Sequence, residues 1–238
     1  VCVVEQTGAR TLIAACAMPV AEGMDIQTNT LKVRNARKHI VELLLSEHRS
    51  DCTKCYKNQK CELQSLANEF AFGDTIFLDL VEDRPYVIDR SSPSFIKDDS
   101  KCIRCQRCVR TCTELQHISA IAVANKGMHQ KISSFHDRPM SHVVCTNCGQ
   151  CVNRCPTGAL IDRRSAYMGG QGDYTHTLST CMACPVGCGI DAMTRGNMLV
   201  RVNGDWDAAN GGLLCVHGRF EVVEPQAKRV TAPMVRKA

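Results

Sequence analysis

Apolar positions along the chain fall into short, separate patterns. Over residues 29–46, Val33, Ala36, Ile40, Leu43 and Leu44 recur at helical spacing, while Lys32, Arg34, Arg37, Lys38 and His39 fill much of the remaining circumference. That pattern predicts an amphipathic helix capped at its start by Thr28 or Asn29. A shorter helix is expected from Glu62 to Phe72, ended by Gly73, with an extended stretch around Thr75–Leu80 after it. Ala120–Ala124 and Lys131–Phe135 read as strands joined through a turn near Gly127. Ile190–Thr194 and Met198–Val202 read as a hairpin about Gly196-Asn197. Pro85 and the Ser-Ser-Pro-Ser run at 91–94 predict a linker, and the Gly-rich stretch beyond Tyr167 predicts a second boundary.

These elements are too short and too sparse to account for 238 residues by a conventional core, and only 5% of the residues are aromatic. The seventeen cysteines change the picture. Metal–ligand bonds closing local loops would supply stabilisation that the apolar pattern does not. A secreted disulfide scaffold is disfavoured by the odd cysteine count, the C-x2-C runs and the lack of a signal peptide. A reducing, cytoplasmic setting is expected from this cysteine usage, and no apolar run is long enough to cross a membrane. The chain opens on Val1 and ends after Pro233–Ala238 without a closing element, and it reads as part of a longer polypeptide at both ends.

Cys102, Cys105, Cys108 and Cys112 form one C-x2-C-x2-C-x3-C run, and Cys145, Cys148, Cys151 and Cys155, followed by Pro156, form another. This is the spacing with which bacterial ferredoxins hold two [4Fe–4S] clusters. Three thiolates two residues apart wrap one cluster, and the fourth, expected to start a helix, crosses to the other. Cys102, Cys105, Cys108 and Cys155 are therefore assigned to one cluster, and Cys145, Cys148, Cys151 and Cys112 to its partner. A zinc ribbon is the alternative, but zinc needs four ligands and has no use for the third cysteine of each run. His48, Cys52, Cys55 and Cys61 make an H-x3-C-x2-C-x5-C set that serves either zinc or an iron–sulfur cluster by ligand type alone. Cys181, Cys184, Cys188 and Cys215 form a further four-thiolate set, again open to zinc. Cys2 and Cys16 complete the count, with two ordinary buried cysteines as the alternative. His117, His129, His136 and His142 sit at no ligand spacing and are expected at the surface.

The formal charge of +5 counts cysteines as neutral. An oxidised [4Fe–4S] core with four thiolates carries about −2, so several centres would cancel the basic excess. Lys101, Arg104, Arg107 and Arg110 then read as local compensation, and no stacking-aromatic pattern accompanies them to suggest nucleic-acid binding.

The motifs together resemble the N-terminal iron–sulfur region of the catalytic (alpha) subunit of soluble NAD(P)-dependent or electron-bifurcating formate dehydrogenases, related to the iron–sulfur subunit of complex I. Val-Cys-Val-Val-Glu-Gln and Ala-Ala-Cys-Ala-Met-Pro-Val resemble the tail of a plant-type [2Fe–2S] domain, which implies Cys2 and Cys16 as its third and fourth ligands, with two more upstream. The run from Ser46 through Glu62-Leu63-Gln64 resembles the segment holding a His-ligated [4Fe–4S] cluster. The C-x2-C-x3-C-x26-C set with Val216-His217-Gly218-Arg219-Phe220 resembles the [4Fe–4S] domain of molybdenum or tungsten bis-pterin oxidoreductases, and Arg229–Lys237 the stretch leading into their cofactor domain. The resemblance implies an α+β chain of small cluster domains: a [2Fe–2S] tail over 1–28, a helix plus His-ligated [4Fe–4S] domain over 29–94, a two-cluster ferredoxin-like domain over 95–166, and a pterin-oxidoreductase-type [4Fe–4S] domain over 167–238.

It further implies electron relay rather than substrate chemistry within this chain, with a Mo or W bis-pterin guanine dinucleotide site beyond its C-terminal end. Expected partners are a flavin- and NAD(P)-binding subunit, a small [2Fe–2S] subunit and a ferredoxin, with no nucleic acid. Two positions depart from the pattern: Thr113 follows Cys112 where the other run has Pro156, and His217 takes the cofactor-facing place where formate dehydrogenases usually carry a lysine. The second leaves room for an iron–sulfur wire of a hydrogenase, a complex I-like enzyme or an electron-bifurcating transhydrogenase without an active pterin. An iron-only hydrogenase and a zinc-stabilised scaffold are the other readings.

Overall fold

The computed structural model describes residues 1–70, 77, 86–223 and 235. The N-terminal segment forms a small antiparallel sheet in the order β2-β1-β3, from β1 (Val3–Gln6), β2 (Ile13–Ala14) and β3 (Ile26–Gln27). Helix α1 (Leu31–Ser46) packs against it: Arg37 Nη2 donates to the Val3 carbonyl at 3.0 Å, and Thr30 Oγ1 donates to Glu5 Oε2 at 2.7 Å. The cap is Thr30, whose side chain accepts from the Val33 amide, rather than Thr28 or Asn29. The buried line also turns from the expected face. Val33, Val41 and Glu42 are buried and Leu43 is half exposed, because α1 faces both β1 and α2 (Glu62–Phe70). Val41, Cys61 and Leu63 form the seam between the two helices. The expected continuation of α2 to Gly73 and the stretch 75–80 apart from residue 77 lie outside the described residues, as do Pro85 and most of 229–237.

A second sheet, in the order β4-β5-β8, joins β4 (Ile88–Asp89), β5 (Phe95–Asp98) and β8 (Leu160–Asp162). Between β5 and β8 run α3 (Arg107–Arg110), the hairpin of β6 (Ile121–Ala124) and β7 (Lys131–Ser134), and α4 (Gln150–Arg154). Phe95, Ile121, Ile132, Met140, Val152 and Leu160 enclose Cys108 and Cys155 in one core. The Ser-Ser-Pro-Ser stretch is no free linker. Ser92 and Ser94 are buried, and Ser92 Oγ accepts from the Ser94 and Phe95 amides while donating to Asn147 Oδ1.

The last sheet, in the order β11-β10-β9, contains β9 (Thr175–Thr180), β10 (Gly189–Arg195) and β11 (Met198–Gly204), followed by α5 (Val216–Arg219). The β10–β11 hairpin forms where the sequence places it, with a bulge at Met193/Thr194. Strand β9 escapes sequence reading because every one of its residues is exposed. Cys181, Ile190, Val202 and Leu214 form the core of this region. Tyr56, Ile96, Ile161 and Ala166 pack together, so the segment after Cys55 is fastened to β5 and β8. Among the described residues no helix is long and apolar enough to cross a membrane.

Candidate metal centres

The two ferredoxin-type runs adopt the same backbone solution. Arg104 and Gln106 in the first loop, and Asn147 and Gly149 in the second, have positive φ at equivalent places. Such turns bring successive amide groups to one side, toward an anionic sulfur. Asn147 N–H donates to Cys145 Sγ at 3.4 Å, and Ala120 N–H to Cys112 Sγ at 3.3 Å. The third cysteines, Cys108 and Cys151, lie within α3 and α4. The fourth cysteines end these helical segments rather than start them: Cys112 lies in a π turn over Thr111–Leu115 beyond α3, and Cys155 directly follows α4.

Electrostatic coupling groups the thiols across the two runs. Burial first, then Cys155 and its loop neighbours, push the Cys102 thiol up to about 11 and the Cys108 thiol up to about 12. Cys105 is raised by burial and also feels Cys155. In the second set, burial raises Cys145, which feels Cys148 and Cys112, and raises Cys151 well above the ordinary thiol value. Cys155 thus lies near the thiols of the first run and Cys112 near those of the second. Cys108 also acts on Cys151, so the two sets adjoin.

Burial likewise raises the Cys61 thiol, with Cys55 and Cys52 adding to it. The His48 imidazole is pushed down by burial, which keeps it neutral, the form that binds metal. Its Nδ1 is buried without a hydrogen-bond partner, and a neutral ring with a nitrogen left open is what metal ligation by histidine requires. Cys55 Sγ borders the Lys101 side chain around Gly158, where an added Cβ would lie 2.6 Å from that sulfur. The His48 region thus abuts the backbone just beyond Cys155, and Glu62 N–H donates to the Pro156 carbonyl at 3.2 Å.

In the last region Cys188 is raised by burial and by Cys181, Cys184 and Cys215. Cys215 caps α5, its sulfur accepting from Gly218 N–H at 3.5 Å. His217 is exposed and bonds Glu221 rather than any thiol. Cys2 Sγ and Cys16 Sγ stand 2.9 Å apart at the surface. His39, His117, His129, His136 and His142 are all exposed.

Does an iron–sulfur core fit these sets? A tetrahedral zinc site would draw sulfurs to about 3.8 Å from one another, given Zn–S bonds of about 2.3 Å. Among the described residues no three His, Cys, Asp or Glu side chains converge on a single-ion site. The ferredoxin-type thiols instead surround spaces. A cavity of about 50 Å³ is lined by Cys102, Cys105, Cys108, Cys112, Cys145, Cys151 and Cys155. A second of about 20 Å³ is lined by Cys112, Cys145, Cys148 and Cys151. Buried thiols around an apolar space, with amides directed at sulfur, suit a multi-iron core better than one ion.

Three protein-family models match. They are the NADH-ubiquinone oxidoreductase-G iron-sulfur binding region over residues 37–75, the NADH-quinone oxidoreductase subunit 3 ferredoxin-like domain over 92–161, and the molybdopterin oxidoreductase Fe4S4 domain over 174–222. The chain is a series of iron–sulfur domains. It is 35% identical over 238 residues to an NADH-quinone oxidoreductase subunit of Rhizobium meliloti (strain 1021), a match covering 99% of this chain and 28% of that protein. It is 43% identical over 162 residues to the NADP-reducing hydrogenase subunit HndD of Solidesulfovibrio fructosivorans, covering 68% of this chain and 27% of that one. A crystal structure of NAD+-reducing [NiFe]-hydrogenase in the H2-reduced state matches with a TM-score of 0.64 at 25% identity, over 72% of this chain and 71% of that chain. The iron–sulfur chain therefore spans under a third of the length of these curated relatives.

Proposed function

We propose that this chain is the electron-relay segment of a multi-subunit oxidoreductase, carrying single electrons between a nicotinamide-linked partner and a second redox site. The observation that carries the reading is the contiguity of its thiol sets. The Cys55 sulfur lies against Gly158, two residues past Pro156; the two ferredoxin-type sets share a cavity; and Arg219 Nε donates to the Cys148 carbonyl at 2.8 Å, bringing the Cys215 region to the second set. When bound, [4Fe–4S] clusters supply one-electron carriers whose potentials depend on ligand type, nearby charge, hydrogen bonds to sulfur and burial. In this reading the ligands are His48, Cys52, Cys55 and Cys61; Cys102, Cys105, Cys108 and Cys155; Cys145, Cys148, Cys151 and Cys112; and Cys181, Cys184, Cys188 and Cys215. Cys2 and Cys16 are half of a [2Fe–2S] site. The protein's part is to hold those ligands, exclude water and place cations. Lys57, within reach of both Cys61 and Cys155, sits at one junction, and Arg219 at another.

A nicotinamide-linked partner is favoured because the relatives named above are NADH-, NADP- or NAD+-linked by description. A molybdenum or tungsten pterin of the formate dehydrogenase type at the far end is the finer reading, supported by the molybdopterin-type match over 174–222. An iron–sulfur wire without a pterin is the second reading, favoured by the likeness to an NADH-quinone oxidoreductase subunit and to a hydrogenase subunit. Anaerobic purification of the native complex tests both. NAD(P)H should bleach the cluster absorption in the intact complex, and failure to do so would refute the nicotinamide-linked relay. Molybdenum or tungsten at about one per protomer selects the first reading, and full iron with neither selects the second.

A further inference from the structure

Two arginines are buried where the ferredoxin-type region meets the last region. Arg219 is 2% exposed and Arg201 3%. The hydrogen-bond acceptors of both are neutral. Arg219 donates through Nε to the Cys148 carbonyl at 2.8 Å and through Nη1 to Asn203 Oδ1 at 3.1 Å and the Val202 carbonyl at 3.4 Å. Arg201 donates to the same Asn203 oxygen at 3.1 Å and to the Tyr56 hydroxyl. Arg219 Nη2 is buried without an acceptor. The anionic groups within its electrostatic reach are the Cys148 and Cys151 thiols and Asp162, and burial, aided by repulsion from Arg201, pulls the guanidinium down to about 10. Gly149, at φ +71, leaves room for Arg219: an added Cβ would lie 2.5 Å from Arg219 Cδ and 2.7 Å from the Phe220 ring.

The twin site differs. Three of its flanking cations are matched to carboxylates, Arg104 with Glu47, Arg107 with Glu62 and Lys101 with Asp98, and the fourth, Lys57, is shared between Cys155 and Cys61 of the His48 set. An isolated guanidinium in a buried setting is costly unless an anion faces it. Of the anions near Arg219, Asp162 is a single carboxylate, its Oδ1 also accepting from the Arg164 and Ser165 amides, set against two buried guanidiniums, so the Cys148 and Cys151 thiolates are the groups left to balance the second.

We propose that Arg219, supported by Arg201, is a positioning residue whose charge raises the reduction potential of the cluster held by Cys112, Cys145, Cys148 and Cys151 above that of its twin. The inference rests on the cluster-relay reading above. Reduction adds one electron, given by a neighbouring reduced cluster, and takes the site from about −2 to about −3 without a proton. A fixed cation beside two of its ligands favours the more negative state.

The test is a redox-poised EPR titration of the full-length holoprotein and of R219Q, R219K and R201Q, with iron content measured for each. A Cys112→Ser variant identifies the signal of the cluster in question. R219Q should lower the reduced-to-oxidised ratio of that cluster about tenfold or more at fixed potential, which is about 59 mV for a one-electron couple. R219K should stay near wild type, R201Q should shift the same cluster less and in the same direction, and the His48-associated signal should stay in place. R219Q with full iron and no shift, or with all clusters shifted alike, would overturn the proposal. If R219Q does not load, an unshifted R201Q overturns it and a shifted one, beside an unshifted R219K, upholds it. A wild-type protein without four [4Fe–4S] signals would instead defeat the relay reading.

Discussion

Gly158→Ala is a one-methyl probe of how the His48 region docks on the ferredoxin-type region. Gly158 does not sit at positive φ, so alanine carries no backbone strain there and the effect is steric. Its Cβ would lie 2.6 Å from Cys55 Sγ and 3.4 Å from Lys101 Cδ. Carbon and sulfur need about 3.5–4.0 Å, so the Cys55 sulfur has to retreat by about 1 Å. The lysine methylene yields by rotating, whereas a thiolate fixed on iron does not. Overpacking of this kind costs about 1–3 kcal/mol, concentrated on one ligand of one cluster. The assay is EPR of the reduced holoprotein with iron quantification. The signal assigned to the His48 set should broaden or shift, or lose occupancy, while that of the Cys181 set stays unchanged. Wild-type spectra and iron content in the variant would refute the docking of Cys55 on Gly158, and with it the contiguity on which the relay depends.

His48→Cys should keep a cluster and lower its potential, since a thiolate adds a negative charge where the imidazole is neutral; a redox titration in which no cluster moves would remove His48 from the ligand set. Cys155→Ala should damage the cluster of Cys102, Cys105 and Cys108, and Cys112→Ala that of Cys145, Cys148 and Cys151. Mössbauer spectra in which each variant harms the cluster of its own run would contradict the crossing. Cys102 and Cys108, raised to about 11 and about 12, are protonated at neutral pH in the metal-free chain. Cluster assembly therefore releases protons, and anaerobic reconstitution should go further as pH rises from about 7 to 9. Equal loading across that range would count against buried neutral thiols as the starting state.

The grouping of the ferredoxin-type thiols in space was legible because each run is local in the chain. Two-residue spacing is what a tight thiolate loop requires, and the repeat of the run signals a second cluster and the exchange of fourth ligands. Helix α1 and the two hairpins were also legible from periodicity and turn residues. What escaped depends on partners distant in the chain. The buried face of α1 is turned toward Val41 and Glu42 because β1 and α2 both pack on it. The Ser-Ser-Pro-Ser stretch reads as a linker until Asn147 is seen beside Ser92. Strand β9 has no buried face to alternate against. Arg219 reads as one more charge after Cys215, and only the fold brings it to Cys148, 71 residues away.

The most direct test of the account is iron and acid-labile sulfide analysis, with Mössbauer spectroscopy, on the anaerobically purified full-length protein. The account predicts about sixteen iron atoms per protomer in four [4Fe–4S] centres, and about eighteen with a [2Fe–2S] centre at Cys2 and Cys16. Zinc bound at these cysteines, with no iron–sulfur absorption or labile sulfide, would contradict it.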